Sequence, residues 1–525
     1  MGQSFFGLNI AIRGLYTSQK GLDSVNHNLA NANTPGYSRQ QIAIVAARPT
    51  LMNDGTGMMG TGSDVTGIER VRDEYLDSKY WNENIAYGEW DIKKTLLSGV
   101  EITFNEPSDT GFSTVTQDFY SALQELSKDP NSQADRVLVR EKAVTFTKYF
   151  KNIASHLESQ QSDANSNIKA KVDEVNSFAM QIQQLNKQIY TSELDGSTAN
   201  DLRDQRTLLT DKLSKIVDIK TNEVTMGKLA NGKDDKHLLI TIGGKALVDH
   251  FGVSKLSTTS RDKKLNEEDI ANIYQVGWAD GNKLILRGGE LKGYIEVRDG
   301  NGGGNSSPDY NGIPYYLNKI NEFVRTFAKA FNEGYTDTKG NAVEGHADGY
   351  DTKGDTGIRF FTMTGADGNP LTNDKFLKGA TDPAAIAQSY SKITAKNFSI
   401  SAEILKDPGT ISVSDAVGQT GNVNNLKALI GQRYDSHMFS AGAPEDYIKS
   451  IIATLGIDSQ QASNLSSSQE TMVKQVDIQR MSVSGVSIDE EMTNLIKFQH
   501  SYEASAKVIQ TMSDIYDTLI NRLGV

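Results

Sequence analysis

A hydrophobic repeat of alternating three- and four-residue steps occupies each end of this chain, and no other feature of the sequence restricts its fold so strongly. Near the N-terminus the repeat runs Phe5, Leu8, Ile12, Leu15, Gln19, Leu22, Asn26 and Leu29. That spacing puts all eight on one helical face and predicts a single coiled-coil-like helix. Near the C-terminus Ser487 and Glu490 are spaced as a capping box, and Asp489, Glu490 and Glu491 place negative charge where a helix dipole favours it. From there Ile488, Met492, Leu495, Gln499, Tyr502, Ala506, Ile509, Ser513, Tyr516, Ile520 and Leu523 continue the heptad spacing. The candidate subunit- and partner-binding residues are therefore Phe5, Leu8, Ile12, Leu15, Leu22 and Leu29, with Ile488, Leu495, Tyr502, Ile509, Tyr516 and Leu523.

The first helix is poorly suited to standing in water. Between Met1 and Ser38 the charged side chains are Arg13, Lys20 and Asp23, and the other polar positions are largely Asn, Gln, Ser and Thr. A solvated helix face carries more charge than this, so a partner is required. Either the two terminal helices pack on each other within one monomer, or each meets a neighbouring copy. The two arrangements are compatible.

Length and charge set the outer bounds. A chain of 525 residues has room for three or four domains. Its 66 acidic and 54 basic side chains leave a net charge of −12, which disfavours nucleic acid and anionic membranes as partners. There is no cysteine, so neither a disulfide framework nor a thiolate site is available. No stretch has the length and apolarity of a membrane helix. The apolar run at Phe5–Ile12 lacks the preceding basic residues of a cleavable signal, so any export is expected to proceed without signal cleavage.

After the first helix comes Asn28-Leu29-Ala30-Asn31-Ala32-Asn33-Thr34-Pro35-Gly36-Tyr37-Ser38-Arg39-Gln40. Pro35 and Gly36 suit the second and third positions of a type II turn, making Asn33, Thr34, Pro35, Gly36 and Tyr37 a motif turn. This segment closely resembles the N-terminal motif of the axial proteins of the bacterial flagellum: the rod, hook and hook-associated proteins. Asn200–Arg206, Gly289–Asp299, Ile313–Leu317 and Ser484–Glu491 with Asn494–Gln499 are similar to the hook-associated members that join hook to filament. The likeness fades across 227–269 and 336–390.

The resemblance implies a structural adaptor between hook and filament, built through its terminal helices. Implied partners are further copies in a ring or helical layer, the hook protein, the filament-side junction protein and a cytoplasmic export chaperone on the C-terminal helix. The implied location is the extracellular flagellum, reached through the flagellar export apparatus. Two alternatives stay open: another axial station (hook, rod or filament-side junction), or a surface adhesin or hydrolase acting through residues 220–390.

The interior predicts a mainly α, elongated, multidomain chain with inserted β-rich regions, in which paired terminal helices and a long helical bundle form discontinuous domains. Ile42, Ile44, Val65, Ile68 and Val71 suggest short strands before a helix from near Arg72. Ser132 and Asp135 mark a helix start, and apolar seams through Val139–Leu157 and Ile168–Ile189 suggest long paired helices, broken at Asp195–Thr198. Strand signals follow at Leu238–Ile242, Ile273–Trp278 and Lys283–Leu286, then a flexible glycine-rich linker at Gly300–Ser307, a helix over Tyr315–Phe331 and helical pieces over Asp446–Val476. The expected division is 1–40 with 485–525 as terminal unit, 41–219 with 308–335 and 391–484 as rod, 220–307 as β-rich insert and 336–390 as small insertion.

Catalytic patterns are weak. Gly55-Thr56-Gly57-Met58-Met59-Gly60 fits GxGxxG but opens no recognisable helix, and no GxxxxGK[ST] sequence is present. His27, His156, His237, His250, His346, His437 and His500 are scattered. Asp348, Asp351 and Asp355 are out of register for an EF-hand, leaving cation binding there as a hypothesis. No histidine stands at a spacing that would activate a serine. The expectation is a protein that is not an enzyme and needs no cofactor.

Overall fold

The computed structural model describes residues 6–51, 57–104, 111–229, 231–303, 307–336, 340, 342–380, 382–419 and 421–522. In chain order the elements are α1 (Phe6–Ala30), β1 (Gln40–Ala46), β2 (Thr50–Leu51), β3 (Met58–Met59), β4 (Ser63–Arg70), α2 (Glu74–Phe104), α3 (Phe112–Lys128), α4 (Gln133–Glu193) and α5 (Asn200–Ile216). Then come β5 (Ile219–Lys228), β6 (Asp234–Ile242), β7 (Lys245–Asp249), β8 (Gly252–Val253), β9 (Leu256–Ser260), β10 (Tyr274–Trp278), α6 (Glu290–Asp299) and α7 (Ile313–Glu333). The remainder is β11 (Tyr335–Thr336), β12 (Ala342–Val343), β13 (Phe361–Met363), α8 (Asn373–Leu377), α9 (Pro383–Ser391), β14 (Phe398–Ile400), α10 (Ala402–Lys406), α11 (Asn424–Gly431), α12 (Pro444–Ser484) and α13 (Ile488–Asp517).

The longest of the described helices is α4. Ser132 caps it by accepting from the Asp135 amide, and its 61 residues include neither Gly nor Pro. At 1.5 Å per residue the helix is about 90 Å long. The sequence suggested two paired helices here, and the structure corrects this to one continuous helix. The polar interval between the two apolar runs is buried rather than looped: Gln161 Nε2 donates to Asp269 and to the Arg298 carbonyl, and Asn165 Oδ1 accepts from the Tyr274 amide.

Two cores share this helix. Around its first half, Phe119, Phe146, Phe150, Phe323, Phe327 and Phe331 interlock with Phe360, Phe361 and Phe398. The second half packs Ile168, Val172, Val175 and Ile182 against α5 and the antiparallel sheet β5-β6-β7-β8. From the 336–390 region, β13 pairs with β14 beyond residue 390, and Phe360, Phe361, Phe376 and Tyr390 enter the phenylalanine core.

Three local expectations also change. Lys283–Leu286 forms a single bridge, Gly277 to Lys283, rather than a strand. In the glycine-rich segment, Gly302 and Gly303 donate to the carbonyls of Tyr310 and Pro308, so its described part is a bonded turn. Asp446–Val476 lies within the continuous 41-residue α12, which packs along α2.

At one end α1 packs against α13 and against the antiparallel hairpin β1–β4, whose register runs from Gln40 opposite Arg70 to Ala46 opposite Ser63.

Candidate assembly interface

The α1–α13 contact is built on small residues. A Cβ at Gly7 would lie 2.8 Å from Met512 Cε, one at Gly14 3.1 Å from Ser505 Oγ, and one at Gly21 2.6 Å from the Phe498 ring. Each step of seven forward in α1 is a step of seven backward in α13, so the helices run antiparallel in matched layers. Asn28 and Glu491 stand at the next step of this repeat, and burial raises the Glu491 carboxyl above its ordinary range. The buried face of α1 carries Ala11, Ser18, Gly21, Val25 and Asn28.

The sequence-derived leucine column lies one residue further round the helix, about 100° away. Leu8, Ile12, Leu15, Leu22 and Leu29 are partly buried, and so are Leu495, Tyr502, Ile509 and Tyr516 on α13. Ile488 is 56% exposed, in company with Met492, Ile496, Val508, Ile515, Leu519 and Ile520. Phe5 and Leu523 lie outside the described residues. Over its thirty residues α13 fully buries only Glu491.

The motif turn closes with the Tyr37 amide donating to Thr34 at 3.2 Å, and Gly36 takes φ +80°, a conformation that costs glycine little. Asn33, Thr34 and Pro35 are exposed. Tyr37 stacks on His27 and donates its hydroxyl to Asn28 Oδ1 at 2.8 Å. Burial, helped by Asp201 and Asp204, holds that phenol neutral well above its usual range. Asn28, 1% exposed, also accepts from the Gln40 amide and donates to the Gln40 carbonyl, which joins helix, turn and hairpin at one side chain.

Beyond the turn lies a latch that the heptad reading missed. The Ser38 amide and hydroxyl donate to the two oxygens of Asp204. Arg70 also reaches Asp204, while Arg72 donates to Ser38 Oγ and forms a fork with Asp77. The Arg39 amide holds the Ser484 carbonyl at the end of α12, and its guanidinium holds Glu490 in the first turn of α13. Arg480 of α12 lies over the Tyr80 ring and pairs with Asp211, which also accepts from Trp81. The sequence signal was Asn200–Arg206, where Asn200, Asp204 and Arg206 sit on the buried face of α5.

A cleft of about 580 Å³ opens between the motif turn, α2, α5 and α12. Its charges are largely committed to one another: Lys171 to Glu174 and Glu290, Arg480 to Asp211 and Asp477. Among the described residues no cluster of three or more His, Asp or Glu side chains suits a metal ion. Asp351 Oδ1 accepts from the amides of Lys353 and Asp355, closing a turn at the site considered for a cation. Gly55 and Thr56 of the GxGxxG pattern lie outside the described residues, and Met58–Met59 form β3. His237 and His250, thirteen residues apart, stack with their ring centroids 3.8 Å apart.

Residues 97–361 match the model of the flagellar hook-associated protein FlgK helical domain, and 478–523 that of the flagellar basal body rod FlgEFG protein C-terminal. Flagellar hook-associated protein 1 of Bacillus subtilis is 32% identical over 544 residues, covering 100% of this chain and 99% of that protein. The chain belongs to the flagellar hook-associated protein 1 family. The Escherichia coli member is 26% identical, with 98% of this chain and 99% of that protein covered. The flagellar hook junction protein FlgK from Burkholderia pseudomallei shares the fold, with a TM-score of 0.56 at 14% identity, covering 78% of this chain and 100% of that one. A member of this family is a structural component of the flagellar axis, not an enzyme. Among the described residues no helix is long and apolar enough to cross a membrane.

Proposed function

We propose that this chain is an adaptor that joins hook to filament, taking its place in a ring or helical layer through α1 and α13. The single observation that carries this reading is the thin cover of α13, which buries one residue along its length and leaves an apolar series at Ile488, Met492 and Ile496 open. Neighbouring copies, hook subunits and filament-side junction subunits supply the missing cover. The terminal unit (1–40 with 485–525) makes these contacts. The rod (41–219, 308–335 and 391–484) and the regions 220–307 and 336–390 are carried outside it. Before assembly the chain leaves the cell through the flagellar export apparatus without signal cleavage, and a cytoplasmic chaperone holds the apolar face of α13 as a helix in a groove.

The test is incubation of the full chain with isolated hooks. A junction protein caps the tip and lets filament-side subunits follow, and immunogold labelling of intact flagella marks the hook-filament boundary. Elongation of the hook by this chain, or label along the hook or rod, would overturn the assignment.

A further inference from the structure

A groove of about 570 Å³ runs between α1, α13 and the β1–β4 hairpin, lined by Gly14, Ser18 and Gly21 of α1, Ile42 and Ile44 of the hairpin and Phe498 of α13. We propose that this groove receives the outward face of α1 from a second copy of this chain, with Asp23 of one copy paired to Lys497 of the next. The inference rests on the adaptor reading above and names the lateral contact within its layer.

Three observations select a second copy as the occupant. The outward face of α1 presents Ile12, Leu15 and Leu22 around Tyr16, which is 63% exposed, the kind of aromatic that anchors interfaces. The seven-residue spacing of Leu15 and Leu22 equals the spacing of Ser505 and Phe498, the α13 side chains that line the groove, so the two faces share one repeat of about 10 Å.

Charge provides the third. Arg39 at the rim is committed to Glu490, and Glu491 is buried. Lys497 is the uncommitted rim charge. On α1, Arg13 pairs with Asp64 of the hairpin, and Asp23 borders the leucine column. Among the described residues neither Asp23 nor Lys497 has an ion-pair partner, and both are exposed.

The levels agree as well. Phe498 sits opposite Gly21, so Lys497 lies at the height of Leu22 and Asp23. Two copies side by side without axial shift therefore bring Asp23 of one copy to the level of Lys497 of the next. Because Leu15 and Leu22 lie on a different face of α1 from Gly14 and Gly21, the contact is heterologous and propagates around an axis.

The chain has no cysteine, which makes crosslinking specific. Full-length chains carrying Asp23→Cys and Lys497→Cys are mixed, added to isolated hooks and oxidised. The expected product is a disulfide-linked dimer that needs both variants and needs hooks. In parallel, Asp23→Lys and Lys497→Asp each lower occupancy of hook tips by about fivefold, and the double reversal returns it to within about twofold of the unaltered chain. Tips that fill normally without the crosslink, or a double reversal no better than the singles, overturn this contact while leaving the adaptor function standing. A crosslink to hook subunits instead of this chain also overturns it. An unaltered chain that ignores hook tips refutes the adaptor reading itself.

Discussion

Ser38 gives both its amide and its hydroxyl to Asp204, at 2.7 and 2.8 Å, across 166 residues of sequence. Ser38 is fully buried and Asp204 nearly so, and Arg70 and Arg72 converge on the same carboxylate. The pair therefore fastens the segment after the motif turn to α5. Removing one member of a buried charged network leaves the others without partners, which typically costs about 3–5 kcal/mol. Asp204→Ala should lower stability by about that amount, read by urea unfolding, and should speed proteolysis near Arg39. Asp204→Asn keeps an acceptor for Ser38 and should cost less. An Asp204→Ala chain as stable and protease-resistant as the parent would show the latch to be idle.

The glycines of α1 make a graded prediction. Replacing helical Gly by Ala normally gains up to about 1 kcal/mol. At Gly14 the new methyl would sit 3.1 Å from Ser505 Oγ, a hydroxyl that can rotate away, so the two effects nearly cancel. At Gly21 it would sit 2.6 Å from the Phe498 ring. Gly21→Ala should therefore destabilise the α1–α13 pair, and Phe498→Ala in the same chain should recover part of the loss. A double-mutant cycle followed by helical circular dichroism measures this coupling, which should be near zero for Gly14 with Phe498.

These glycines also show how far the sequence could be read. Heptads mark both terminal helices as amphipathic, but they leave open whether the two pair with each other or with neighbouring copies. They do not reveal that the intramolecular contact uses Gly7, Gly14 and Gly21, since a hydrophobic pattern gives a glycine no weight. The Ser487 cap was legible for a local reason: the Glu490 amide it accepts from is three residues away. Asp204 was visible only as part of a family signature, because its partners Ser38 and Arg70 lie far off in sequence. The unbroken α4 was missed because Gln161 and Asn165 look like solvated residues until their partners on the insert are placed.

Acid should weaken the core through a histidine. His346 is fully buried; its Nδ1 bonds the Ile358 carbonyl and its Nε2 accepts from the Ser412 amide, an arrangement that requires the neutral ring. Burial pushes its pKa down from 6.5 to about 4. The unfolded chain thus takes up a proton first: the contribution is complete above about pH 6.5 and is lost as pH falls toward 4. For this one group the loss approaches about 3 kcal/mol. Urea midpoints between pH 7 and 4.5 should fall, and His346→Gln should flatten the profile by about one proton. An unchanged slope would place the acid sensitivity elsewhere.

The last prediction concerns a cation held without a carboxylate. Arg136 is 1% exposed, and its guanidinium donates to the carbonyls of Pro130, Gly409 and Ile411, so the start of α4 is tied to the loop before α11. Burial lowers its pKa, although Asp351 and Asp407 oppose the shift. Arg136→Met fills much of the volume but strands several buried acceptors, each worth about 1–3 kcal/mol when unsatisfied. Arg136→Lys keeps the charge with fewer donors and a different geometry, so it should recover only part of the difference. Hydrogen exchange should then show the 408–413 segment opening well before the rest of the phenylalanine core. If Arg136→Met unfolded at the parental urea concentration with that segment still protected, the carbonyl cage would be a consequence of packing rather than one of its causes.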